Sequence, residues 1–168
     1  EDIIKKEEEM KIAIVGPGAI GCLIAAFLKS RAKEEAWLID HDPVRAKKLN
    51  DNGIKVEGIS GSFLVKVNAT ADPRETGICD LVIMCVKSYS TEEAAKAIKE
   101  LVTDKTHVLT IQNGIGNVQI LNDHFGTERV IAGITNHGST LLDIGHVRHA
   151  GKGDTIIGKP GGKYQGAI

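Results

Sequence analysis

The hexapeptide Gly16-Pro17-Gly18-Ala19-Ile20-Gly21 constrains this chain more than any other stretch. It follows the apolar run Ile12-Ala13-Ile14-Val15 and leads into a segment where Ile20, Leu23, Ile24, Phe27 and Leu28 recur at steps of three and four. The run reads as a buried strand and the recurring stripe as one face of a helix. Three glycines at the turn between them have separate uses. Gly16 permits the tight turn out of the strand, Gly18 lets backbone approach a pyrophosphate, and Gly21 lets helix and sheet pack closely. The unpaired N–H groups that open the helix, at its positive dipole end, favour an anion. A glycine turn kept for packing alone is the competing reading; the strand before and the helix after weigh against it.

A second signal supports the first. Asp40 ends an apolar segment, Ala36 to Ile39, 19 residues past Gly21. A carboxylate there accepts hydrogen bonds from the ribose hydroxyls of a bound adenosine. It repels a 2′-phosphate, which favours NAD(H). Arg45, Lys47 and Lys48 follow on the next helix, and any of them would welcome the phosphate of NADP(H). The adenosine end therefore leaves both coenzymes open, with the acid tilting toward NAD.

The remaining chain alternates strand and helix. Asp42 and Pro43 open a helix that Gly53 stops. Ile54–Glu57 and Phe63–Val67 flank a glycine- and serine-containing turn and read as an antiparallel hairpin. Leu81–Val86 is almost wholly apolar, as a central parallel strand is. Ser90 and Glu93 have the spacing of a capping box. Asn117 has the position of a cap for a helix that carries Val118, Leu121 and Phe125 inward and closes at Gly126. Val108–Ile111, Val130–Ile134, Val147–Ala150 and Thr155–Ile157 are further strands. The fold class expected is α/β: a Rossmann-type, doubly wound, mostly parallel sheet with helices on both faces.

Composition narrows the function classes. A net charge of −1 over 168 residues gives no electrostatic footprint for nucleic acid. No run approaches the ~18 apolar residues of a membrane span. Residues 1–9, mostly charged, read as a solvated extension ahead of Met10, without the apolar centre of a signal peptide. Cys22, Cys79 and Cys85 are odd in number, sit among apolar residues and match no metal-site spacing, which fits core thiols in a reducing, cytoplasmic setting. His146 and His149, three apart on a strand, point to opposite faces and suit no shared metal.

Ligands of open α/β sheets sit beyond the carboxyl ends of the strands. Lys87 follows one apolar run and Gln112-Asn113 another, so both arrive at that edge. Lys87 offers a charged donor, and Asn113 a donor and an acceptor. On chemistry alone, Lys87 reads equally as a solvated strand-end lysine. Asn113-Gly114 reads first as an ordinary turn.

Four segments carry a family resemblance: MKIAIVGPGAIG from Met10, CVKSY from Cys85, QNGIGN from Gln112, and GITNHGSTLLDIGHVRHAGKGDTIIG near the end. Over about Met10 to Gly158 the chain resembles the cofactor-binding domain of the 2-dehydropantoate 2-reductases, or ketopantoate reductases. The resemblance implies reduction of the ketone of 2-dehydropantoate to (R)-pantoate by NADPH or NADH, on the way to pantothenate and coenzyme A. It implies that the backbone from Gly16 to Gly21 holds the pyrophosphate and that Lys87 and Asn113 lie at the nicotinamide end, with Asn113 near substrate as well. The backbone of Ser139 would meet the nicotinamide amide. It also implies that the principal proton-donating lysine lies beyond Ile168, in a second, helical domain; a homodimer is one expectation for the full-length protein, whose oligomeric state the sequence leaves open. Asp40-His41 departs from the basic residue common in NADPH-using members. The expected organisation is a dinucleotide-binding domain over 10–160 and, over 161–168, the start of a linker to the helical domain. Such a piece binds a dinucleotide and turns over little or no substrate alone. Two other readings stay open: an NAD(H)-sensing regulatory module, and a sister dehydrogenase of another 2-oxo or 3-hydroxy acid.

Overall fold

The computed structural model describes residues 9–32 and 34–161. Nearly all of the charged extension, and nearly all of the expected linker up to Ile168, therefore lie outside the described residues. The chain runs β1 (Lys11–Val15), α1 (Ala19–Phe27), β2 (Glu35–Ile39), α2 (Pro43–Asn52), β3 (Ile54–Gly58), β4 (Phe63–Val65) and β5 (Asn68–Thr70). It continues through β6 (Leu81–Met84), α3 (Thr91–Ala97), β7 (His107–Thr110), α4 (Asn117–Phe125), β8 (Val130–Thr135), β9 (Gly138–Asp143), β10 (His146–Gly151) and β11 (Thr155–Gly158).

Seven strands form the main sheet in the order β11-β8-β7-β6-β1-β2-β5. All its neighbours pair parallel except β11 on β8, which is antiparallel. The chain enters at β1, builds outward through β2, then returns to lay β6 on the other side of β1. That reversal opens a crevice at the carboxyl ends of β1 and β6, the usual ligand position in such sheets.

The hairpin β3–β4 does form, with Ile54 opposite Val65 and Val56 opposite Phe63. It belongs to a second sheet of four strands, β4-β3-β10-β9, where β10 pairs parallel with β3 and antiparallel with β9. The mostly parallel main sheet is the one expected, and the hairpin inserted into the α/β pattern stands in this second, smaller sheet. Helix α1 lies between them: Cys22, Leu23, Ala25 and Ala26 are buried in one cluster with Ile12 and Ile83 of the main sheet and Val56 and Val147 of the small one. A second apolar cluster on the opposite face of the main sheet joins Val82, Met84 and Val108 to Ala95 of α3 and Leu121 and Phe125 of α4. Helices therefore cover both faces.

Local signals held at some ends and failed at others. Asp42 caps α2, its Oδ1 accepting from Val44 N at 2.8 Å and Arg45 N at 3.3 Å, and Gly53 closes the helix with φ 77°. The Ser90–Glu93 capping box does not form, because a short 3₁₀ turn over Ser88–Ser90 already leads into α3 and Ser90 makes no side-chain cap. Asn117 is not a cap either: Gly116 holds that place, and Asn117 is buried in the first turn.

Candidate functional site

The glycine turn lies on the crevice between β1 and β6. Gly16 has φ +93°, and a Cβ there would meet the Val86 backbone nitrogen at 2.8 Å. A Cβ on Gly21 would come within 2.3 Å of the Gly16 carbonyl oxygen, so only glycine lets α1 pack this close to the turn. Gly18 differs: a Cβ would meet nothing within 4 Å. Its bare face opens onto a cradle that a side chain would fill. Gly18 also stands at the N-cap of α1 without a side-chain cap, so no side chain competes for the first amides of that helix. These residues fit a dinucleotide pyrophosphate by shape and by polarity.

Two adjoining cavities meet at this turn. One, about 380 Å³, is lined by Gly18, Ala19 and Ile20 on one side and by Lys87, Asn113 and Ser139 on the other. The second, about 370 Å³, is lined by Gly16 and Asp40 and walled by the apolar residues Ala71, Pro73, Ala94 and Ala97. Val86 borders both. Together they follow the carboxyl edge of the sheet as a groove on either side of the glycine turn, and the Asp40 end also carries His41, Ser90 and Glu93. Pro17 and Gly21 shape the turn from inside: Pro17 is buried, and its carbonyl accepts the Cys22 S–H at 3.3 Å.

Asp40 follows β2 and is almost wholly buried. Its Oδ1 accepts from Asp42 N at 3.1 Å and lies 3.3 Å from His41 Nδ1. Its Oδ2 lies 2.9 Å from Arg45 Nε, yet neither atom has a hydrogen-bond partner. The N–H is not aligned for a hydrogen bond, so Oδ2 is held by the Arg45 guanidinium as a close ion pair at the margin of the second cavity.

Lys87 and Asn113 are exposed at the other end of the groove, and their backbones are held in place. Ser88 Oγ donates to the Asn113 carbonyl at 2.6 Å, and Asn117 Nδ2 donates to the same carbonyl at 3.2 Å. Thr91 Oγ1 donates to Asn117 Oδ1 at 2.8 Å and accepts from Gln112 Nε2 at 2.9 Å. Gln112 Nε2 also donates to the Val86 carbonyl at 2.8 Å. This network ties the turn after β6 to the turn after β7, leaving the Lys87 and Asn113 side chains to face the groove. Ser139 is fixed too, its Oγ donating to the Ala19 carbonyl at 3.0 Å. The third member expected of the catalytic set, the proton-donating lysine placed beyond Ile168, lies outside the described residues, so the groove brings together Lys87 and Asn113 without it.

Sequence reasoning missed several contributors. Ser88, Thr91 and Asn117 brace the site, and Thr135, His137 and Cys85 line it. His137 was findable: it lies two residues before Ser139, and in extended chain that spacing shares a side. The histidines of β10 separate as expected. His146 Nε2 lies 2.8 Å from Glu57 Oε2, whereas His149 is buried on the other face beside His137. Burial pushes the Cys22 and Cys85 thiols up to about 12.

Comparison with known proteins decides the family. The model of the family described as "Ketopantoate reductase PanE/ApbA" matches residues 12–162. The chain belongs to this family. It is 40% identical over 156 residues to a 2-dehydropantoate 2-reductase of Aquifex aeolicus, covering 92% of this chain and 48% of the relative. Against the Pyrococcus abyssi 2-dehydropantoate 2-reductase the identity is 42% over 150 residues, covering 89% and 47%. The crystal structure of 2-dehydropantoate 2-reductase from Geobacter metallireducens superposes with a TM-score of 0.82 at 35% identity, over 89% of this chain and 49% of that one. A ternary structure of D-mandelate dehydrogenase with NADH and anilino(oxo)acetate superposes with a TM-score of 0.81 at 26% identity, over 88% and 48%. The chain thus spans about half the length of the curated relatives it matches. No helix among the described residues is long and apolar enough to cross a membrane.

Proposed function

We propose that this chain is the coenzyme-binding half of a reductase that moves hydride from NAD(P)H to the ketone of 2-dehydropantoate, giving (R)-pantoate. The observation that carries the reading is the groove itself. It has an open cradle at Gly18, the Asp40 carboxylate at one end, and Lys87 with Asn113 at the other. The names of the relatives support the substrate.

The bound coenzyme supplies the hydride. Lys87 and Asn113 stand where they can stabilise the negative charge that hydride delivery builds on the carbonyl oxygen, and removing one such donor typically costs about 10²–10³ in rate. The braced turns keep those donors from having to reorganise during reaction. The proton that completes the alcohol comes, by the family resemblance, from a lysine of a second, helical domain beyond Ile168. At the adenosine end, Asp40 is positioned to accept from a ribose hydroxyl, and its charge opposes a 2′-phosphate. Arg45 already lies against that carboxylate, so its charge is partly spent. We therefore assign NAD(H) as the tighter ligand, to be read by calorimetric titration of NADH against NADPH; tenfold tighter NADPH binding would reverse the assignment.

A second reading rests on the D-mandelate dehydrogenase likeness: the same groove serving reduction of another 2-oxo acid. The decisive assay is coenzyme oxidation by the whole protein with 2-dehydropantoate and with a panel of 2-oxo acids. The proposal expects 2-dehydropantoate to give the highest kcat/KM and Asn113→Ala to lower it about 10²-fold. Preference for another 2-oxo acid would pass the function to the second reading.

A further inference from the structure

His137, Ser60 and His149 take no part in the reading above, yet they connect the groove to the far edge of the small sheet. His149 on β10 is 2% exposed. Its Nε2 lies 3.0 Å from His137 Nδ1, and its Nδ1 is hydrogen-bonded to Ser60 Oγ in the β3–β4 turn. Phe27 of α1 sets its ring edge-on to both imidazoles, at centroid distances of 6.3 and 5.5 Å. Neither ring is free to rotate without losing this packing. His137 also lines the groove near Lys87 and Ser139. Since its Nδ1 is occupied by His149, Nε2 is the nitrogen left to a ligand.

A neutral imidazole carries one N–H and one acceptor nitrogen. Burial first, then the neighbouring His137, lowers the pKa of His149, which keeps this ring neutral near pH 7. The three groups then have two self-consistent proton arrangements, running in opposite directions. Ser60 is only half-buried and still reaches water. With its O–H given to the ring, its oxygen can still accept a hydrogen bond from water, so the direction from turn to groove leaves every group in the chain satisfied.

We propose that a Ser60 → His149 → His137 chain of hydrogen bonds fixes His137 as an Nε2–H donor to the nicotinamide half of a bound dinucleotide. Ser60 and His149 act as positioning residues; His137 makes the contact. The inference rests on the dinucleotide reading of the groove. It predicts a contact that ADP, which lacks the nicotinamide half, does not make.

The test is calorimetric titration of the protein with NADH, NADPH and ADP, alongside ¹⁵N spectra that report which ring nitrogens carry protons. His137→Ala should weaken NADH binding about three- to tenfold, the range of one hydrogen bond, and leave ADP unchanged. His137→Gln, whose Nε2 also donates, should recover most of the loss. Ser60→Ala strands Nδ1 of the buried His149, so its folding is checked by urea unfolding; it should weaken NADH and shift His137 away from the Nε2–H form. NADH affinity within about twofold of wild type in His137→Ala, or Nδ1 protonation of His137 in the wild type, would overturn the relay while leaving the dinucleotide site intact. If the wild-type protein bound none of the three nucleotides, the site and the relay would fall together.

Discussion

At the residue scale, the three glycines of one turn make opposite demands, and substitution separates them. Alanine at Gly18 meets open space within the protein, so stability should stay within about 0.5 kcal/mol of wild type. The same methyl occupies the cradle, and NADH affinity should fall about tenfold or more, which is about 1.4 kcal/mol of lost binding. Alanine at Gly21 drives its methyl to 2.3 Å from a backbone oxygen that cannot swing aside. That change should cost about 1–3 kcal/mol of folding stability, as overpacking does, and urea unfolding of both variants beside titration with NADH reads the contrast. Two thiols, Cys22 in the core and Cys85 half-buried at the groove wall, make a second residue-scale prediction. Cys22 and Cys85 hold their protons to about 12, against 9.0 for an ordinary cysteine. Both should resist alkylation at pH 8. A pKa raised by folding contributes stability that is whole below pH 9 and is lost as pH climbs toward 12. Replacing both with alanine should flatten that part of the alkaline stability profile, measured against the wild type by thermal melts.

At the element scale, what the sequence disclosed depended on how much chemistry each element carried in itself. The strand–turn–helix at Gly16–Gly21 was legible because glycine spacing and apolar period are local. The Asp42 cap was legible for the same reason. β5, only Asn-Ala-Thr, and β9, most of whose residues are exposed, offer no alternating pattern to read; pairing partners create them. The small sheet was invisible because the β3–β10 pairing joins segments about ninety residues apart. The Asn117 network was hidden likewise, since Thr91 and Ser88 come from the turn and helix after another strand. Asn117→Ala should leave the buried Thr91 hydroxyl without its acceptor and cost about 1–3 kcal/mol, the usual penalty for a stranded buried polar group. It should also weaken NADH more than ADP, because the turn that loosens lies at the end of the groove proposed for the nicotinamide. On β3, Glu57 accepts from Arg148 Nε at 2.9 Å and Nη2 at 2.8 Å, and His146 meets its other oxygen. Hydrogen bonds from Arg148 and then His146 hold its carboxyl below the usual glutamate value of 4.5. A depressed carboxylate contributes stability present above 4.5 and lost as pH falls through its lower native pKa. The urea midpoints of wild type and Glu57→Gln should therefore differ at pH 6 and converge as acid protonates Glu57. An unchanged gap at pH 3 would show that the pairing with β10 draws nothing from this charge.

At the scale of the whole molecule, the position of α1 ties ligand to fold. Its N-terminus faces the groove, and its buried side packs on β1 and β2 of the main sheet and on β3, β9 and β10 of the small one. Ser139 adds a direct tie, since β9 bonds back to Ala19 at the start of the helix. The two sheets therefore share one apolar cluster and cannot part without exposing it. The described residues should melt in one transition. A ligand at one hundred times its Kd stabilises the native state by about 2.7 kcal/mol, which in a domain of this size raises Tm by about 5–10 °C. Because α1 belongs to both layers, amides of β3 and β10 should gain hydrogen-exchange protection from NADH together with those of β1 and β6. Exchange slowed only in the main sheet, or a small sheet that unfolds first in a separate step, would show that the helix does not couple them. In that case the Ser60 turn would also be too loosely held to set the state of a ring in the groove.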